Sequence, residues 1–109
     1  MGLARADQSA DTWSLLAAIN GRMGILDEAI QCSRKALAMA PDNPGAHFNL
    51  GMALHKQGHL AEAEKSFSRV VQLQPENADA LCLLGDIYKD MVKLEEAVDC
   101  YQRSVNLNS

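Results

Sequence analysis

Basic residues are in short supply in this chain: ten Lys and Arg stand against fourteen Asp and Glu, for a formal net charge of −4 and an isoelectric point near 5.2. Backbone binding to DNA or RNA works by counterion release and needs clustered cations, so nucleic acid is not an expected partner. Cysteine is scarce and odd in number, three residues with no metal-type spacing. That argues against a disulfide framework and fits a reducing compartment, so free thiols in a cytoplasmic setting are expected. No apolar run approaches the roughly 20 residues that span a bilayer. Met1 to Ala6 carries neither a signal-peptide core nor the Ser or Thr of a myristoylation motif, so no membrane partner is expected. A Gly-rich phosphate loop, a zincin motif and a Ser-His-Asp order on strands are all missing. We therefore expect no catalytic residues, no cofactor and no enzyme activity within these residues. His55 and His59 are four apart, but Gly58 breaks the helix between them and argues against a metal site.

What the chain does have is a period. Leu26-Asp27-Glu28-Ala29, Leu60-Ala61-Glu62-Ala63 and Leu94-Glu95-Glu96-Ala97 recur at an offset of 34 residues. Leu16, Leu50 and Leu84 keep the same offset, as do Ala17, Gly51 and Gly85, and Pro41 with Pro75. The copies run from 10 to 43, 44 to 77 and 78 to 109, and residues 3 to 9 align with the tail of an earlier copy, as if the chain were cut from a longer array. A period of this length predicts stacked helical hairpins whose neighbours share one core, and it moves the question of function from chemistry at a point to recognition along a surface.

The pattern Trp13-x-x-Leu16-Ala17 followed by Ala29, Ala36 and Pro41, with Leu84-Gly85-x-x-Tyr88 and Ala97-x-x-x-Tyr101 in the third copy, resembles the tetratricopeptide repeat. His47 and Leu81 stand where the family's Trp is usual, Asn20 and Leu54 where Tyr is, and Ser33 where Phe is. The resemblance implies an all-α, right-handed superhelix of three helix-turn-helix repeats.

The local signals agree. Gly24 and Gly58 fall where first helices end, a place that favours the left-handed conformation, but the third copy has Val92 there, which predicts another geometry or local strain. Asn43 and Asn77 are placed to cap the following helices, and Pro44 suits a first helical position. Ala29, Ala63 and Ala97, opposite Ala17, Gly51 and Gly85, predict a close crossing of the two helices in each copy.

Stacking such hairpins lines a concave groove with the first helices. By resemblance to the family, the groove set is Asp11, Ser14, Ala18 and Arg22; Phe48, Asn49, Met52, His55 and Lys56; and Asp79, Cys82, Leu83, Asp86 and Lys89. Phe48 and Met52 avoid the positions assigned to the core and are expected either to anchor a partner's apolar side chain in a weakly acidic groove or to be partly buried against the neighbouring helix. Ala46 to Gly51 resembles repeats of the O-linked N-acetylglucosamine transferase superhelix, whose asparagine at the Asn49 place hydrogen-bonds an extended peptide's main chain; the matching residues of the other copies are Leu15 and Leu83, which leaves a local structural role for Asn49 as the alternative. The residues that clamp a chaperone's carboxylate terminus in other family members correspond to Ser14, Ala18, Asn49, Asp79 and Leu83; Asn49 alone matches, and Asp79 has the wrong sign. Asp79 and Asp86 also disfavour a nucleophilic thiolate at Cys82.

Leu94, Val98, Tyr101 and Val105 have no following hairpin to cover them, and each bare side chain of that size forfeits roughly 1.5–3 kcal/mol. That end face is therefore a candidate assembly surface, expected to be covered by a second copy, by further sequence beyond these residues or by a partner. The expected function is a scaffold or adaptor that binds a peptide or helix, with a substrate-selecting array of a larger O-GlcNAc-transferase-like enzyme, or a self-assembling module, as the alternatives.

Overall fold

A computed structural model describes residues 9–108, and over them the chain forms six α-helices. They are α1 (Ala10–Arg22), α2 (Leu26–Met39), α3 (Pro44–Lys56), α4 (Leu60–Leu73), α5 (Ala78–Asp90) and α6 (Leu94–Asn108). Each odd-numbered helix pairs with the next as a hairpin, and α2 then packs on α3 and α4 on α5, which gives an elongated body of 51 × 27 × 20 Å. The alignment of residues 3 to 8 with an earlier repeat lies outside the described residues.

First and second helices start by different means. Ser9, Asn43 and Asn77 accept hydrogen bonds from the amides of Thr12, Ala46 and Ala80, at 3.1, 3.0 and 2.9 Å, each satisfying one orphan donor. Neither α2 nor α4 has a side-chain cap; instead Asp27 and Glu28, or Glu62, occupy the first turn, where the helix dipole favours carboxylates.

All three hairpin turns share one bonding pattern. Ile25, His59 and Lys93 donate their amides back to the carbonyls of Asn20, Leu54 and Tyr88, six-residue closures at 2.8–2.9 Å. The closure needs a left-handed residue in the turn. Gly24 (φ 78°) and Gly58 (φ 85°) supply it freely, and Val92 is forced to the same conformation (φ 61°). Of the two outcomes open for Val92, strain is the one observed.

The close crossings also accommodate an aromatic ring. Ala29, Ala63 and Ala97 are buried, but a Cβ on Gly51 would come within 2.8 Å of the Phe67 ring, and one on Gly85 within 2.8 Å of the Tyr101 ring. The small residue on the first helix makes room for an aromatic of the second. The first repeat shows the trade: Ala17 keeps its methyl, and the aromatic place holds Ser33, fully buried with its hydroxyl unpartnered.

The principal core lies in the middle and last repeats, around Leu54, Phe67, Val70, Ala80, Leu84 and Ile87. Leu16, Leu50 and Leu84 do not behave alike, although the period equates them. Leu84 is 5% exposed, Leu50 half-buried and Leu16 44% exposed. The position faces the second helix of the preceding repeat, and α1 has no such neighbour among the described residues. At the other end Leu94, Val98 and Val105 are exposed as expected. Tyr101 departs from that expectation: its ring turns inward over Gly85 and its hydroxyl donates to Asp86, because it holds the register of Phe67. Cys32 and Cys100 are buried, Cys82 is exposed, and all three are free thiols.

Candidate functional site

The groove expected from the repeat geometry has one enclosed part, a cavity of about 230 Å³ between α1 and α3. Phe48, Asn49, Met52 and Lys56 line it from α3, and Ala18 and Arg22 from α1. These residues meet because the first helices of successive repeats stack side by side, so positions 34 apart in sequence become neighbours in space. Six of the fourteen expected groove residues, Ala18, Arg22, Phe48, Asn49, Met52 and Lys56, converge there. His55, Cys82 and Asp86 do not line this cavity.

Phe48 serves two surfaces at once. Its ring meets that of Phe67 edge to face, with centroids 5.4 Å apart and planes at 87°. The remainder faces the cavity, and Met52 likewise packs partly against the core cluster. Both side chains are half-buried. A contact of this kind fixes the ring's orientation before any ligand arrives, which lowers the ordering cost of binding.

Asn49 is tied into the protein. Its side-chain amide donates to the Ser14 carbonyl at 2.9 Å and lies 3.1 Å from the Ser14 hydroxyl, bracing α3 against α1. His55 bridges in the other direction: its Nε2 lies 2.9 Å from Asp90 Oδ2, linking α3 to α5. Asp86 accepts from the Tyr101 hydroxyl, and Cys82 stands exposed on α5.

Charge along the groove is uneven: Asp11 and Arg22 stand on α1, Lys56 on α3, and Lys89 among three acids on α5. Cations Arg22 and Lys56 border the α1–α3 cavity, whose lining contains no carboxylate. The acids Asp79, Asp86 and Asp90 all belong to α5. Sequence reasoning placed Lys56 in the groove but did not pair it with Arg22; the signal was present, since the two are 34 residues apart.

A second cleft, of about 490 Å³, opens between α4 and α6 over α5, with Tyr88, Cys100, Glu96 and Asp99 among its lining. The Tyr88 hydroxyl donates to Glu64 at 2.9 Å, and burial, followed by that carboxylate, pushes its pKa up to about 12. Burial likewise raises Cys100, and burial followed by the Asp86 hydrogen bond raises Tyr101. These groups are held protonated in the neutral range. Among the described residues no group of three or more His, Cys, Asp or Glu is arranged to hold a metal ion, and no helix is long and apolar enough to cross a membrane.

Paired helices at a 34-residue period, with small residues opposed to aromatics, define a tetratricopeptide-repeat protein. A model of the family "Tetratricopeptide Repeats-Sensor" matches residues 25–108, and the chain belongs to the tetratricopeptide-repeat family. Among curated proteins it is 30% identical over 95 residues to "Protein CTR9 homolog" of Arabidopsis thaliana, covering 84% of this chain and 9% of that protein. It is also 30% identical over 101 residues to "Probable UDP-N-acetylglucosamine--peptide N-acetylglucosaminyltransferase SPINDLY" of Arabidopsis thaliana, covering 93% of this chain and 11% of that one. The chain thus spans about a tenth of these relatives' length. Among solved structures, the first TPR of Spaghetti (RPAP3), bound to the HSP90 peptide SRMEEVD, superposes with a TM-score of 0.87 at 29% identity, covering 93% of this chain and 80% of that one. The second TPR of the same protein, bound to the same peptide, gives 0.88 at 22% identity, with 98% and 99% covered.

Proposed function

We propose that this segment is a non-catalytic recognition module, part of a scaffold or adaptor, which takes a peptide segment of another protein into the groove between α1 and α3. The observation that carries this reading is the cavity itself. Phe48 and Met52 present apolar surface to an enclosed space, and Phe67 holds the Phe48 ring in place behind it. Support also comes from the Spaghetti (RPAP3) domains, which share the fold and hold an HSP90 peptide. The peptide for this chain is a different one, because Asp79 stands where the chaperone-tail clamp needs a cation.

A peptide-array screen with labelled protein tests the proposal. Wild type should retain a subset of peptides, and Phe48→Ala and Met52→Ala should each lose them while circular dichroism shows unchanged helicity. Retention of the same peptides by both variants would refute it. Because Phe48 also touches the core, Met52→Ala is the cleaner of the two.

The likeness to SPINDLY favours a second reading, in which the same groove selects substrates for a glycosyltransferase-like domain elsewhere in a longer chain. Extending the native reading frame decides it: a nucleotide-sugar-binding domain supports the idea, and none ends it. The exposed Leu94, Val98 and Val105 favour stacking of a second copy on that face. Multi-angle light scattering that finds only monomer across a wide concentration range would dispose of that version.

A further inference from the structure

We propose that the α1–α3 cavity selects an acidic side chain adjoining an apolar one in the bound peptide, with Arg22 and Lys56 holding the carboxylate; this rests on the groove reading above. Arg22 and Lys56 occupy the same place in consecutive repeats, in the last turns of α1 and α3. Stacking brings both to the border of one cavity, together with Phe48 and Met52. The third repeat breaks the column: its residue is Asp90, which lies against His55. The basic pair is therefore confined to the enclosed part of the groove.

Two observations argue for an anion there. First, acids outnumber bases in this chain, yet the cavity is lined by two cations and no carboxylate. Second, the other arginines of the described residues, Arg34, Arg69 and Arg103, each sit beside a carboxylate, of Glu62, Asp42 and Asp99, whereas Arg22 is in no ion pair among the described residues. A cation in a helix's last turn offsets the dipole, which accounts for the sign of each residue alone. It does not account for two like charges bordering one cavity, an arrangement that raises its potential until a counter-anion enters. Arg22 has the planar fork that a carboxylate accepts in two bonds, and Lys56 adds a point charge beside it. An acid alone would leave the apolar wall uncovered, so the neighbouring ligand residue fills the space against Phe48 and Met52.

Three pools of immobilised heptapeptides test this, random except for a fixed central pair of Glu-Leu, Gln-Leu or Lys-Leu. Wild type at low salt should be retained by the Glu-Leu pool at least about tenfold better than by the Gln-Leu pool, and added salt should erase the preference. Arg22→Gln with Lys56→Gln should level the first two pools, and Arg22→Glu with Lys56→Glu should move the preference to Lys-Leu. Both residues are exposed, so these variants keep the fold. Equal retention of Glu-Leu and Gln-Leu by wild type, abolished in both by Met52→Ala, would overturn acid selection and leave the groove reading standing. Retention of no pool by wild type would overturn both.

Discussion

Replacing Val92 by glycine should make this protein more stable, although Val92 touches little. The side chain is 75% exposed, so its removal forfeits almost no buried surface. What it relieves is the backbone: at φ 61° the residue sits in the left-handed region, which costs a non-glycine residue roughly 1–2 kcal/mol, with β-branched residues the worst placed. Glycine returns about 0.4–1 kcal/mol of that through the greater freedom of the unfolded chain. The net gain is on the order of 0.5–1 kcal/mol, a rise in Tm of roughly 3–6 °C for a domain of this size. The first two repeats supply the control, because Gly58 makes the same closure and a Cβ there would meet nothing within 4 Å. Gly58→Val should therefore lose stability for conformational reasons alone. Thermal and urea melts of Val92→Gly, Val92→Asn and Val92→Ala should rank Gly and Asn above Ala. Should Val92→Gly melt at or below wild type while Gly58→Val melts normally, the reasoning about strain in this turn is wrong.

Gly51→Ala should cost about 1–3 kcal/mol, since the new methyl would stand 2.8 Å from the Phe67 ring; a urea melt checks it. Ser33→Ala should raise stability by roughly 1 kcal/mol, because the hydroxyl removed is buried without a partner, and an unchanged or lower Tm would point to a bond the geometry does not reveal. At high pH the sign follows from Tyr88, whose pKa is raised from 10.0 to about 12. The folded state disfavours the phenolate, so the stability it contributes is full below pH 10 and is lost as the pH climbs from 10 to about 12. Tyrosinate absorbance should rise late in the native protein and at ordinary pH in the unfolded one, and Tyr88→Phe should flatten the alkaline loss.

The helices and their pairing were legible because the repeat states them three times. A single Asn-Pro or Gly is a weak signal, but Asn43 and Asn77 each precede a first helix and each caps it. Departures from the period were as informative as agreements. Val92 in place of glycine pointed to strain or another turn geometry, and Ser33 in place of an aromatic marks the one buried hydroxyl without a partner among the described residues. Where the period misled, the reason was geometric. A repeat register equates positions along the chain, while burial depends on what lies to either side. Leu16 and Leu84 therefore share a register and differ in exposure, and Tyr101, assigned to an open end by its place in the chain, follows Phe67 inward.

The site was legible to the level of the helix face and no further, and Asn49 shows why. Its column position puts it in the groove, but the direction of its amide depends on a bond to Ser14, a residue 35 positions earlier whose carbonyl is available only because α1 lies alongside α3. No periodicity encodes that pairing. Its consequence for function is specific. An amide already donating to α1 acts first as a strut that sets the distance between α1 and α3, and that distance is the width of the cavity holding Phe48, Met52, Arg22 and Lys56. In the proposed groove, recognition would therefore depend on Asn49 through the cavity's shape, while the contacts that discriminate among peptides would fall to the apolar pair and the two cations around it.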